Sequence, residues 1–175
     1  NILAAAAIPI YITLPFLLIF GVYTINIINF IDGLDGLLTG CMSVIVLYYS
    51  INIDSSYFPI LAALIGFQFL NWEPAKVFMG DGGSTFLGAL YFGLILSSNS
   101  FDQFFKLIIL SAPLLLDTTS CIIRRYSSGH NIFKAHKLHL FQRLNQSGFS
   151  HSKVSMIYII SVLLIALALT LQGIK

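Results

Sequence analysis

Four short stretches hold residues with the types and spacing to work on an anionic substrate. In Phe78-Met79-Gly80-Asp81-Gly82-Gly83-Ser84-Thr85-Phe86-Leu87-Gly88, a carboxylate sits among glycines and an apolar run follows. Glycine lets the backbone adopt positive φ and approach a ligand closely. Ser84 suits the N-cap of a helix running through Leu87, Leu90 and Phe92, and the open N–H groups at a helix start favour phosphate. Asp81 offers oxygen ligands, and Mg²⁺ commonly takes one or two carboxylates plus substrate phosphates. The stretch therefore fits a metal-bridged diphosphate. Taken alone, it reads more simply as a plain turn between two helices.

In the second stretch, Asn26, Asn29, Asp32 and Asp35 recur at every third residue. A strict helix would carry the last of these about half a turn from the first. Gly33 and Gly36 can break the helix and bring Asp35 back toward Asp32. Two amides and two carboxylates would then converge, suited to a base or sugar edge, a cation or a hydroxyl. The alternative is a set of interfacial polar residues that end a span, although two acids near a bilayer are costly without partners. Third, Asn71 and Phe78 flank Pro74, and together can hold a planar base by hydrogen bonds and stacking. Trp72 reads as an interface anchor, and Glu73 and Lys76 as solvated charges. Fourth, His136, His139 and Arg143 share one helical face, with Lys137 beside them. Two histidines at this spacing can bind zinc, but no third ligand joins them on that face. Charge and imidazole donors suit a diphosphate better; a basic loop that only sets topology is the other reading.

The elements that must position these groups are membrane helices. The chain has 175 residues, 57% hydrophobic and 9% charged, with mean hydropathy +0.89. A soluble domain carries about 25% charged residues. The apolar runs predict an all-α membrane protein, a polytopic bundle of about six transmembrane helices. They cover Ile12–Ile28, Leu37–Ile51, Phe58–Leu70, Thr85–Ser97, Phe104–Ile123 and Val154–Leu171, in a single domain over residues 1–175. Arg124, Arg125, Lys134, Lys137, Arg143 and Lys153 make up most of the chain's nine Lys and Arg. Their loop is expected on the cytoplasmic side. Counting spans outward from it gathers all four stretches on that face. Asp117 lies inside the fifth run, where a bare acid costs roughly 2.5–3.5 kcal/mol. It is expected either to support a metal site or to make an interhelical hydrogen bond. Cys41 and Cys121 read as packing residues. No signal peptide is apparent before the first run.

Asn29-Phe30-Ile31-Asp32-Gly33-Leu34-Asp35-Gly36, followed by Pro74-Ala75-Lys76-Val77-Phe78-Met79-Gly80-Asp81-Gly82-Gly83-Ser84, resembles the polyprenyl-phosphate N-acetylhexosamine-1-phosphate transferase family. Phospho-N-acetylmuramoyl-pentapeptide translocase is a relative. The resemblance covers essentially the whole chain and implies an Mg²⁺-dependent enzyme of the bacterial inner membrane, with Mn²⁺ as an alternative ion. Its substrates would be polyprenyl phosphate and a UDP-N-acetylhexosamine. A homodimer is allowed and no nucleic acid is expected. By resemblance, Asp81 binds the metal. Asp32, Asp81 and His139 are catalytic, and Asn29 and Asp32 line the cavity. Asp35, Asn71 and Phe78 form the uridine pocket, while His139 and Arg143, with His136 nearby, hold the diphosphate. The histidine motif departs from the family's His-Leu-His-His-Arg-Leu, reading His139-Leu140-Phe141-Gln142-Arg143-Leu144. That variant is similar to the branch that starts O-antigen with 6-deoxy N-acetylhexosamines. The chain contains no Asp-Asp pair and fewer spans than full members carry. It therefore resembles a C-terminal portion, expected to be inactive alone. The rival class is an ion-coupled membrane transporter, which would use Asp117 and broken helices near the midplane.

Overall fold

A computed structural model describes residues 9–129 and 138–172. Eight α-helices occur among the described residues: α1 Ile10–Ile31, α2 Leu37–Asn52, α3 Phe58–Asn71, α4 Gly80–Leu96, α5 Phe101–Leu110, α6 Ala112–Ser127, α7 Leu140–Gln146 and α8 His151–Gln172. A single 3₁₀ turn, Ser55–Tyr57, leads into α3. No strand occurs among these residues. That is the expected outcome for a chain this apolar, since in lipid each backbone group must be satisfied within its own segment.

The six apolar runs all become helices, but their lengths differ from six equal spans. Among the described residues, only α1 and α8, each 22 residues, are long and apolar enough to cross a bilayer alone. The run Phe104–Ile123 is not one span. It falls within α5 and α6, which meet at 69° and reach the length and hydropathy of a span only when taken together. Pro113 near the start of α6 cannot continue a helical ladder from α5. The Tyr91 hydroxyl donates to Leu107 O at 3.0 Å and pairs with the Ser111 hydroxyl at the break.

At the centre is α2, with eleven of its sixteen residues buried. It packs between α3 and α8. A Cβ at Gly40 would fall 2.2 Å from Ile159 Cδ1, so the glycine sets how close α8 lies. Helix α1 pairs chiefly with α4. There Gly88 meets backbone: a Cβ would fall 2.8 Å from Ile25 Cα and 3.0 Å from Ile25 O. Small residues permit such crossings between membrane helices.

The turn between α1 and α2 is pinned by α3. Gly36 has φ 71°, the left-handed region open to glycine. The Trp72 ring and Gln68 Nε2 stand where its Cβ would be, at 2.6 and 2.9 Å. Trp72 is thus half-buried against this turn. Gln68 Nε2 donates to Gly36 O at 3.1 Å.

Replacing Gly88 by alanine is expected to lower stability by about 1–3 kcal/mol, because backbone on the facing helix cannot yield as a side chain can. Unfolding in mixed micelles measures this. Gly66, whose Cβ would meet nothing within 4 Å, is the control.

Candidate active site at one end of the bundle

The polar stretches meet at one end of the bundle, formed by the end of α1, the starts of α2, α4, α7 and α8, and the ends of α3 and α6. The key link runs from α1 to α4: Asn29 Nδ2 donates to Ser84 Oγ at 2.7 Å. Ser84 is not a helix cap. Helix α4 begins earlier, at Gly80, so the glycines form its first turn instead of a loop. Ser84 is buried inside the helix, and its hydroxyl donates to Gly80 O at 3.0 Å. Asp81 therefore lies in the first turn of α4, exposed, where the helix dipole favours a negative charge.

Asp32 closes α1 and faces the same region. Its carboxyl is pushed up from 3.8 to about 6, first by burial and then by the charge of Asp81. Two like charges near each other in a partly desolvated site favour keeping one proton. A divalent cation would relieve the same repulsion.

His139 is buried, immediately before α7. Its ring lies 6.3 Å from that of Phe30 and stacks on Phe141 at 5.5 Å between centroids. Phe30 follows Asn29, and the Phe141 ring lies 2.9 Å from where a Gly33 Cβ would be. The end of α1 thus runs between α4 and α7, and brings Asn29, Asp32, Asp81 and His139 into one neighbourhood.

Asp117 holds α7 in place. Its Oδ1 accepts from Leu140 N at 2.6 Å, and its Oδ2 accepts from Phe141 N at 3.2 Å and from the Tyr158 hydroxyl at 2.6 Å. His139 Nδ1 lies 3.9 Å from Oδ1. Of the two roles expected for Asp117, the interhelical hydrogen bond is the one present. The acid ties α6, α7 and α8 together beside the histidine.

Other predicted residues have different neighbours. Asp35 does not fold back toward Asp32 as a partner. Its Oδ2 accepts from Ala75 N at 3.1 Å, and its Oδ1 lies 3.3 Å from His151 Nδ1. Asn26 donates to Val22 O within its own helix. Asn71 is buried, and its amide serves the fold: Oδ1 accepts from Gly36 N and Thr39 Oγ1, and Nδ2 donates to Val77 O. Phe78 is 74% exposed. Glu73 is not merely solvated, for it accepts from Ser152 N at 2.6 Å, which holds its carboxyl below the usual range. His151, the partner of Asp35, carries no motif signal and sequence reasoning missed it. Arg143 is exposed and lines a pocket with Arg124 and Arg125. His136 lies outside the described residues.

No group of three or more His, Cys, Asp or Glu placed to hold a metal occurs among the described residues. A closed protein cage is therefore not formed there. The Asp32–Asp81 pair instead fits a hard cation that takes one or two carboxylates and completes its shell with water and phosphate.

These features define a helical membrane protein whose acids and bases are gathered at one end. The chain belongs to glycosyl transferase family 4, whose model matches residues 2–99. It is similar to a probable undecaprenyl-phosphate N-acetylglucosaminyl 1-phosphate transferase of Bacillus subtilis, 38% identical across 85% of this chain and 45% of the relative. A decaprenyl-phosphate N-acetylglucosaminephosphotransferase of Mycobacterium tuberculosis is 32% identical across 81% of this chain and 43% of its own. A phospho-N-acetylmuramoyl-pentapeptide-transferase of Clostridium beijerinckii is 32% identical across 83% and 46%. The chain thus spans less than half the length of these relatives.

Two outcomes are expected. Folding raises the proton affinity of Asp32, so without divalent ions its contribution to stability is lost as pH rises from about 4 through about 6. Asp32→Asn should then stabilise the protein above pH 6 and lose that advantage toward pH 4, as read from thermal unfolding across pH. Asp117→Ala should cost about 2–3 kcal/mol in mixed-micelle unfolding, because it strands buried donors on α7 and Tyr158.

Proposed function

We propose that the whole protein transfers N-acetylhexosamine 1-phosphate from a UDP-sugar to polyprenyl phosphate. The observation that carries this reading is the Asn29–Ser84 link, which sets Asp32 and Asp81 on adjoining helix ends, with His139 next to the same turn. A phosphate oxygen of the lipid attacks the sugar-bearing phosphorus. A new P–O bond forms there, the bond joining that phosphorus to the bridging oxygen breaks, and UMP departs with that oxygen. The names of the relatives, each an N-acetylhexosamine phosphate transferase, support the same class.

The barrier is largely repulsion between anionic reactants, so fixed positive charge and excluded water lower it. Arg143 faces the diphosphate. His139, held by Asp117 and two aromatic rings, keeps one orientation and donates to a phosphate oxygen. Asp32 is charged above about pH 6 and with Asp81 would hold Mg²⁺ or Mn²⁺. Such an ion, when bound, neutralises phosphate charge. Phe78 offers an exposed ring for the uracil, and Asp35 a carboxylate acceptor. The site opens on the cytoplasmic side of a bacterial inner membrane, where a UDP-sugar is available, and the product initiates O-antigen or cell-wall glycan synthesis.

An ion-coupled carrier would need an acid free to exchange ions near the midplane. Asp117 is the acid set deepest among the helices, and both its oxygens are occupied by internal donors.

The test is Asp81→Asn in the full-length protein, assayed with a panel of UDP-N-acetyl sugars with and without Mg²⁺. Transfer should fall by at least about 100-fold. Normal turnover by the purified variant would remove the metal assignment, and absence of transfer by the parent with every sugar would remove the reaction.

A further inference from the structure

Asp35, the acid offered to the uracil, is held at every polar atom it has. It lies in the turn between α1 and α2. Its Oδ2 accepts from Ala75 N at 3.1 Å, on the connection between α3 and α4. Its other three polar atoms meet α8. Asp35 O accepts from Ser155 Oγ at 2.8 Å. Asp35 N and Oδ1 stand 3.4 and 3.3 Å from one and the same atom, His151 Nδ1. Residues 151 and 155 share a face of α8, one turn apart. We propose that His151 is a positioning residue for nucleotide recognition: it fixes the carboxylate of Asp35 so that the imide N–H of uracil is accepted and a base without that donor is rejected. The assignment rests on the transfer reading above, which sets the uridine at Asp35.

A carboxylate held through one oxygen still pivots about that contact. Ala75 N supplies one point at Oδ2, and His151 supplies the second at Oδ1, which sets the plane. The imidazole grips Asp35 in either protonation state. With a proton on Nδ1 it donates to Oδ1; without one it accepts from the Asp35 N–H. The two contacts do not exhaust the acid. A carboxylate has about four acceptor sites, and the Asp35 side chain keeps 15% of its surface exposed. It only accepts, which suits the single ring N–H that uracil shows between its two carbonyls.

The joint between these segments is made without the imidazole. Ser155 ties α8 to the Asp35 turn through a main-chain oxygen, and Ser152 N donates to Glu73 Oε2 at 2.6 Å, tying α8 to the connection that carries Ala75. What His151 adds is the orientation of one carboxylate.

Isothermal titration calorimetry on the full-length protein in detergent reads this without turnover. The probes are UDP and N3-methyl-UDP, which lacks the imide N–H. The parent should bind UDP at least about 10-fold tighter, the scale of a hydrogen bond to a charged acceptor. His151→Gln, whose amide reaches past the Nδ1 position, should lose that preference. His151→Asn, whose amide falls at that position with both a donor and an acceptor, should keep it. Glu73→Ala loosens the start of α8 without touching Asp35, and should lower the melting temperature while the preference stays. In the transfer assay, His151→Gln should raise the KM for the UDP-sugar and leave that for the lipid unchanged. An unchanged preference in a folded His151→Gln protein would overturn the proposal. So would an equal loss in Glu73→Ala, or a parent that binds both nucleotides alike. Should His151→Gln not fold, loss of the preference in a folded His151→Asn protein overturns it as well. If the histidine-dependent preference is present but no UDP-sugar is turned over, the transfer reading fails while the positioning role stands.

Discussion

Helices α1 and α4 cannot move apart without losing the site. Their backbones touch at Gly88 and Ile25, and one turn nearer the polar end Asn29 bonds to Ser84. This pairing forces Asp32 to sit partly buried within the field of Asp81, an arrangement neither acid would adopt unaided. The resulting proton affinity is the cost of the geometry, and it is the property a divalent ion and a diphosphate would relieve. A tight crossing in the apolar part of the bundle thus keeps charge concentrated at its end.

Two further braces complete that end. The amide of Asn71 satisfies the start of α2 and the chain leaving α3, so the Asp35 turn and the approach to α4 share one anchor. Asp117 does the same for α7 by accepting from two of its first N–H groups. A helix of seven residues is too short to be stable by itself. Held by a carboxylate from one helix and a tyrosine from another, it can present His139 and Arg143 from a fixed base.

Much of this was legible in the sequence, for identifiable reasons. Apolar runs report burial or lipid contact directly, so each of the six runs falls on helix, whereas the short α7 lies in none of them. The acidic and basic motifs share one side because the number of spans between them fixes parity. The local geometry was not legible. Gly80–Gly83 read as a loop because glycine is a poor helix former, yet tertiary packing extends α4 through them. Ser84 read as a cap because its type suits one, but its partner, Asn29, is 55 residues away. Asn71 has the amide a nucleobase would need, and the fold needs that amide too. The break at Ser111 was hidden within an unbroken apolar run, where hydropathy carries no trace of a bend. His151 could be found only through its contact with Asp35.

The turn at Gly36 carries one more consequence. The indole packed over it belongs to the only tryptophan in the chain. That ring packs over the turn that carries Asp35, while the segment leading to Phe78 starts just beyond it. Its emission is therefore a built-in optical gauge of this corner, sensitive to how well water is kept from the turn, and no dye need be attached to follow it.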